Sequence, residues 1–292
     1  MCVLRLLSYR VYGTIFHINR GNPFNLEVLV DSWPEFKTVI TRPRSDEMVD
    51  DSDHYTNSYF IFTRDPSNLR EALETSEAIN WRQTLQIQGL QGTIGKVLTS
   101  ISTSKAFSLN TTRTILYVKD TRGPEAPESI TGNPMAHERG MGTGVATATL
   151  QSKSGAQSPF AVSPLHVSHA ELVDGSWAFG GNARSVRYIQ RCIQHFPSIC
   201  MLGPDGQPIS WSVMEQSCEI RMGSTRPNFR RAGLARKLTS IFSDSLGRRN
   251  FPLYVHVAEE NTKAHGVALG AGFAIASCPW YQWNCRPVQS SL

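Results

Sequence analysis

The sequence predicts an α/β protein built from two domains, and three observations carry that expectation. The chain has 292 residues, close to twice the ~150 residues of an average domain. Strand-like and helix-like runs alternate on both sides of a segment rich in Gly, Pro, Ser and Thr. Near residue 225 a strand pattern passes through a short basic turn into an amphipathic helix, a junction suited to binding anions.

Composition narrows the classes. Forty per cent apolar, 9% aromatic and 18% charged residues exclude wholesale disorder, a collagen-like repeat and a heptad rod. The net charge of +5 is spread without a polybasic run, which argues against a nucleic-acid partner and for a small anionic ligand. Six cysteines without a C-x-x-C pair or Cys/His ligand spacing disfavour a disulfide scaffold and a zinc site, so no metal is expected. The uncharged stretch Ala264–Cys285 holds His265, Gly270, Gly272, Pro279 and Gln282. It reads as a helix and then a strand, and no membrane span is expected.

In the first half, Val11–Ile18, Lys37–Thr41, Ser58–Thr63, Leu85–Gln88 and Thr114–Val118 read as strands, and Asn68–Glu74 and Thr93–Ser102 as helices. Arg5, Arg10 and Arg20 precede the first acidic residue, Glu27, the bias of a mitochondrial targeting segment. A strand at Val11–Ile18 confines any such address to the first ten residues. Thr121–Pro159 lacks aromatics and carries Gly123-Pro124, Gly132-Asn133-Pro134 and the cluster Gly140–Gly144, which marks a linker. The resulting division is an N-terminal domain at 1–120, a linker at 121–160 and a C-terminal domain at 161–292.

After the linker, Asn182 caps a helix with Val186, Ile189 and Ile193 on one face. Ser198–Leu202 and Ile209–Met214 flank Gly203-Pro204-Asp205-Gly206, a hairpin reversal. Cys218–Thr225 alternates, with Cys218, Ile220 and Met222 on one side and Glu219 and Arg221 on the other. Then comes the basic turn, in which Arg230-x-x-Gly233-x-Ala235 opens a helix whose Leu234, Leu238, Ile241 and Phe242 form the apolar face. Small residues there let a ligand approach main-chain N–H groups at the positive end of the helix, a site for a pyrophosphate. The competing reading of Gly233 and Ala235 is close packing of helix on sheet.

The pattern R/Q-x-x-G-x-G/A between strand and helix resembles the acyl-CoA-binding motif of the GCN5-related N-acetyltransferase superfamily. A strand at Leu253–Val257, Asn261 opening a helix, Ala264 and a Gly272-Phe273 ending extend that resemblance. Val11–Asn19, Asn22-Pro23-Phe24, Asp53–Asn57, Leu85–Gly89, Cys218–Gly223 and Trp280–Trp283 are similar to the glycine N-acyltransferase family, across nearly the whole chain. The resemblance implies tandem acyl-CoA N-acyltransferase-like domains, each a mixed, mostly antiparallel sheet flanked by helices, with the N-terminal copy degenerate. It implies acyl-CoA as a co-substrate with no permanently bound cofactor, and glycine or another small amino acid as acceptor. Glutamine, phenylalanine or a protein amine are the alternatives, as is a non-catalytic acyl-CoA-binding paralogue. By the same resemblance Met222, Gly223, Ser224, Arg230, Arg231, Ala232, Gly233, Leu234, Ala235 and Asn261 hold the coenzyme. The expected location is the mitochondrion, with the endoplasmic reticulum as alternative, and a monomer is the expected state.

An amino acid's ammonium must lose a proton before it attacks a thioester, so the site needs a base. Glu219 leads into the coenzyme turn, and the resemblance places the family's catalytic glutamate there; the competing reading is a strand glutamate paired with Arg221. His256 is a second candidate base, against a packed strand histidine. Superfamily members often carry an acidic tyrosine where this chain has Ala268. Arg221 is available for the acceptor carboxylate. Cys192 and His195 are one helical turn apart, a spacing that arises without any catalytic role.

Overall fold

The computed structural model describes residues 9–75, 77–120 and 160–288. The linker, the Gly140–Gly144 cluster and the first eight residues lie outside them. The described chain runs α1 (Tyr9–Ile18), β1 (Leu26–Val30), β2 (Thr38–Pro43), β3 (Ser58–Thr63), α2 (Pro66–Thr75), β4 (Leu85–Gly89), α3 (Gly92–Ile101) and β5 (Phe107–Val118). After the linker come β6 (Val162–Ser163), α4 (Ala170–Asp174), α5 (Ala183–His195), β7 (Ser198–Leu202), β8 (Pro208–Met214), β9 (Ile220–Thr225), α6 (Leu234–Arg248), β10 (Tyr254–Ala258), α7 (Thr262–Gly270) and β11 (Ala274–Pro287). No helix among the described residues is long and apolar enough to cross a membrane.

The strands form two sheets, ordered β1-β2-β3-β4-β11-β5-β10 and β6-β7-β8-β9. Every neighbouring pair is antiparallel except β3 with β4. The larger sheet interleaves strands from both sides of the linker. β5 lies between β10 and β11, and β11 lies between β4 and β5. Long β11 earns this central place with buried Trp280, Trp283 and Cys285. Its register against β5 shifts between Ile275 and Pro279, where proline supplies no N–H to a ladder.

The segment predicted as a strand at Val11–Ile18 is a helix, Tyr9–Ile18. Its β-branched residues suggested a strand, yet Arg10, Val11, Gly13, Thr14, Phe16 and His17 are all buried. A helix covered on most sides loses the polar face that would reveal its period. Gly13 explains the close approach: a Cβ there would stand 1.8 Å from the Ser217 carbonyl oxygen, inside any allowed contact. The helix therefore rests directly on the turn that precedes β9, and Cys218 Sγ donates to Gly13 O at 3.3 Å. The sequence reading also passed over β1, whose buried residues do not form a continuous apolar run.

Elsewhere most predicted elements overlap observed ones, although the strand expected at Thr114–Val118 is only the last part of β5, and β6 and α4 were not expected. Asn182 accepts from the N–H groups of Arg184 and Ser185, capping α5, and Ser198–Leu202 and Ser58–Thr63 are strands with the expected ends. Buried Cys192 has its thiol pushed up by desolvation, which leaves it protonated and unreactive.

His17 stands on α1 against Phe196 and Phe251, 5% exposed, and burial, joined by Arg20, pulls its imidazole down to about 4. The unfolded chain takes up this proton near the ordinary histidine pKa while the folded chain stays neutral. Stability therefore falls as pH drops through the interval between them. Urea midpoints should show a loss of about 2 kcal/mol from this residue between pH 7 and pH 5. A His17→Leu chain should show a correspondingly flatter pH dependence.

Candidate active site

The basic turn folds as the sequence predicts. Pro227–Phe229 form one 3-10 turn after β9, Arg230 Nε donates to Thr225 O at 2.9 Å, and α6 starts at Leu234. Buried Leu234 and Leu238 anchor the helix. Gly233 is its N-cap with φ +71° and no side-chain cap, and no acidic residue occupies the first turn. The first N–H groups of the helix thus point outward without intrahelical partners. A Cβ on Gly233 would meet nothing within 4 Å, so positive φ, not close packing, requires glycine there. Arg231 also has positive φ, and Arg230, Arg231 and Ala232 are all exposed around the same turn.

Beside this turn the two sheets part. β9 ends one sheet and β10 the other, with no ladder between them. Met222, predicted to alternate regularly, has φ +55°, and the β8–β9 register shifts across it, between Trp211 and Val213. This bulge bends β9 away from β10 and places Gly223 at the surface with Ser224 half-buried. Asn261 caps α7 by accepting from Ala264 N at 3.1 Å. Ala268 is buried in α7, and one turn earlier His265 Nδ1 meets Tyr117 OH at 2.7 Å.

The equivalent strands of the first half show the opposite arrangement. β3 and β4 are zipped by parallel pairing of Ser58–Phe60 with Gln86–Gln88. Farther along, the Gln91 side chain accepts from Thr63 N at 2.9 Å and donates to Thr63 O at 2.5 Å, so an internal amide occupies the strand backbone. The start of α2 is capped by Asp65, whose Oδ1 accepts from Ser67 N and Asn68 N. Those hydrogen bonds hold the carboxyl below its ordinary range, and a fixed anion at a helix start repels phosphate. Among the described residues, the β3–β4 pair thus leaves no open slot beside it, and the helix that follows β3 has no free start.

Glu219 lies immediately before β9, 2% exposed, and not on an open strand face. Oε1 accepts from His256 N at 3.2 Å and lies 2.7 Å from His256 Nδ1; Oε2 accepts from Arg10 and lies 3.4 Å from Arg221 Nε. Burial alone would push its pKa up, but Arg10, His256 and Arg221 outweigh it and hold the carboxyl far below its usual range. Glu215 shares the cage: Arg10, Ser217 and Tyr188 donate to it, and Arg221 Nη1 lies 3.7 Å away. Tyr254 OH bonds to Ser217, and Arg10 is sandwiched between Phe60 and Trp280 at 5.2 and 4.8 Å. The pairing of Glu219 with Arg221 expected by the competing reading is present, but as one contact of a buried cluster.

Arg221, 16% exposed at its side chain, leads from this cluster into a recess. Its guanidinium lies over Trp177 at 5.6 Å. The walls come from both halves, His54, Tyr55 and Gln86 on one side and Trp177, Tyr188 and Gln282 on the other. Tyr55 packs on Trp177 and stacks on Tyr188, each at 5.8 Å between ring centres. The free volume is about 20 Å³, close to that of one water. Sequence reasoning assigned no role in the site to Arg10, Glu215 or the first-half walls. Arg10, Thr14 and His17 recur along α1 at helical spacing and are all buried; that polar stripe was the available signal once a helix was considered.

The chain matches the family model of aralkyl acyl-CoA:amino acid N-acyltransferases over residues 7–197 and the model of that family's C-terminal region over residues 199–287. It is 42% identical to glycine N-phenylacetyltransferase of Bos taurus over 282 residues, covering 96% of this chain and 92% of the relative. It is 40% identical to glycine N-acyltransferase of Homo sapiens over 281 residues, with the same coverage. Among solved structures, a Drosophila protein aligns with a TM-score of 0.70 at 14% identity, covering 96% of this chain and 90% of that one. A putative GNAT-family acetyltransferase from Novosphingobium aromaticivorans aligns at 0.52 and 11% identity, covering 97% and 98%. Open splay, uncapped helix start and whole-length likeness agree: the chain belongs to the aralkyl acyl-CoA:amino acid N-acyltransferase family and has the GNAT fold.

Proposed function

We propose that this acyltransferase moves an acyl group from acyl-CoA to the amino group of glycine, releasing N-acylglycine and CoA. The observation that carries the reading is the β9–β10 splay, which opens between an uncapped α6 start and a buried carboxylate. The pyrophosphate lies on the α6 start, with Gly233, Leu234 and Ala235 presenting N–H groups and Arg230 and Arg231 adding charge. The pantetheine arm runs along Met222, Gly223 and Ser224, where β9 has left its partner. Glu219 supplies the negative charge toward which the acceptor's ammonium proton is drawn, and the freed amine attacks the thioester directly.

Arg221 anchors the acceptor's carboxylate, the one cation among the described residues that faces both the recess and Glu219. The curated relatives named above act on glycine according to their names, which supports the same acceptor.

Thiol release measured across a panel of amino acids should be fastest with glycine. Release with a bulky amino acid but not with glycine would overturn the acceptor assignment, and acyl-CoA binding without release to any amine would overturn the enzyme. Glu219→Gln should keep acyl-CoA binding and lose about 10²-fold or more in kcat. In Gly233→Val, a β-branched residue at positive φ disturbs the turn, and acyl-CoA affinity should fall about tenfold or more, ~1.4 kcal/mol. Arg221→Lys should raise KM for glycine about tenfold with acyl-CoA binding unchanged.

A further inference from the structure

The recess at Arg221 is smaller than the group that the acyl-transfer reading places there. Its free volume of about 20 Å³ has room for one water, whereas even glycine brings a carboxylate and an ammonium. The guanidinium that takes the carboxylate is also covered, because the Trp177 ring lies over it at 5.6 Å. An acceptor reaches Arg221 only when a wall of the recess moves.

One wall is a self-contained loop. Leaving α4, residues 174–181 fold back on themselves: Trp177 N donates to Asp174 O at 3.0 Å, Gly180 N to Trp177 O at 2.9 Å, and Gly181 N to Asp174 Oδ2 at 2.9 Å. The two ends are thus tied together, and the loop behaves as a small rigid unit that carries Trp177 and Phe179 to the recess. Gly175 stands at one end and Gly180-Gly181 at the other, with Gly181 at φ +93°; such end positions absorb the backbone rotation of a hinge. Among the described residues, the loop's hydrogen bonds stay within it and α4, with one exception. The Tyr55 hydroxyl, from the other half of the chain, donates to Phe179 O.

The wall that carries Tyr55 is fixed. Tyr55 N donates to Asp53 Oδ1 at 3.1 Å, Gln86 Nε2 donates to His54 O at 2.8 Å, and Arg184 Nε donates to Asp50 Oδ2 at 2.7 Å. Asn182 Nδ2 donates to the Tyr55 hydroxyl at 3.0 Å, so the group that holds the loop is itself held at the start of α5.

We propose that the loop at 174–181 is a gate over Arg221 and that Tyr55 is the latch that keeps it shut. Release of Phe179 O by the Tyr55 hydroxyl lets the loop turn about its flanking glycines. Trp177 then leaves Arg221, Tyr55 and Tyr188 together, since its ring packs on all three, and the acceptor's carboxylate takes its place on the guanidinium. The latch lies outside the coenzyme turn, so it acts on the acceptor and not on acyl-CoA. The inference rests on the part of the acyl-transfer reading that puts an amino acid carboxylate at Arg221.

Tyr55→Phe keeps the ring on Trp177 and Tyr188 and removes the latching hydroxyl. Loss of one such hydrogen bond moves the balance of shut and open loop about fivefold. In the thiol-release assay KM for glycine should therefore fall about fivefold, with acyl-CoA affinity within about twofold of the parent. Trp177 gives a readout that needs no turnover. With CoA in place of acyl-CoA, glycine should change the tryptophan emission of the parent, and half-saturation of that change should fall about fivefold in Tyr55→Phe. The change should vanish in Trp177→Phe. A glycine half-saturation raised in Tyr55→Phe would overturn the gate and make the hydroxyl a direct ligand of the acceptor. A KM within about twofold of the parent would overturn it, as would a glycine-dependent emission change that survives in Trp177→Phe. So would no emission change in a parent that turns glycine over. A parent that shows the change and releases no thiol to any amine would keep the gate and overturn acyl transfer.

Discussion

The grip of Arg10 on Glu215 and Glu219 is the interaction on which the rest of the structure depends. Burying two carboxylates and a guanidinium costs several kcal/mol per ion unless each is matched. The matching groups are spread over the molecule: Tyr188 from α5, Ser217 from the turn, Tyr254 and His256 from β10, Arg221 from β9. Satisfying the cluster therefore fixes the relative positions of four elements. Gly13 lets α1 come near enough for Arg10 to reach across. Removing one partner leaves an uncompensated charge, at a cost of about 3–5 kcal/mol.

The same cluster accounts for the shape of the slot. Where a regular sheet would pair β10 with β9, the His256 N–H bonds to a carboxylate, and a few residues on, the bulge at Met222 turns β9 outward. In the first half no charge intervenes between β3 and β4, the strands zip, and Gln91 satisfies the backbone beyond the zipped stretch. One topology thus gives an open cleft and a closed one, decided by a handful of polar side chains. The closed half still contributes: Arg10, His54, Tyr55 and Gln86 all reach the site or its recess.

Local signals in the sequence were strong wherever local chemistry decides. The turn at Arg230–Ala235, the Asn182 and Asn261 caps and most strands were legible because capping, turn residues and alternation act over a few positions. Helix α1 was misread because burial on several sides erases periodicity, and with it went Arg10, which looked like part of a basic terminus. Glu219 was legible as a residue but not as a caged anion, since its partners come from positions up to 209 residues away. The exchange of β5 and β11 was also hidden: the linker suggests a division of the chain, while hydrogen bonds cross it.

That exchange sets the order in which the molecule can assemble. During synthesis β4 and β5 leave the ribosome long before β10 and β11, so both edges of β5 and one edge of β4 stay bare until the last part of the chain is made. Bare strands of this kind invite pairing with other chains, and such distant contacts form slowly. The nascent protein is thus most exposed to self-association just before its final strand, carrying Trp280 and Trp283, slots into the middle of the sheet.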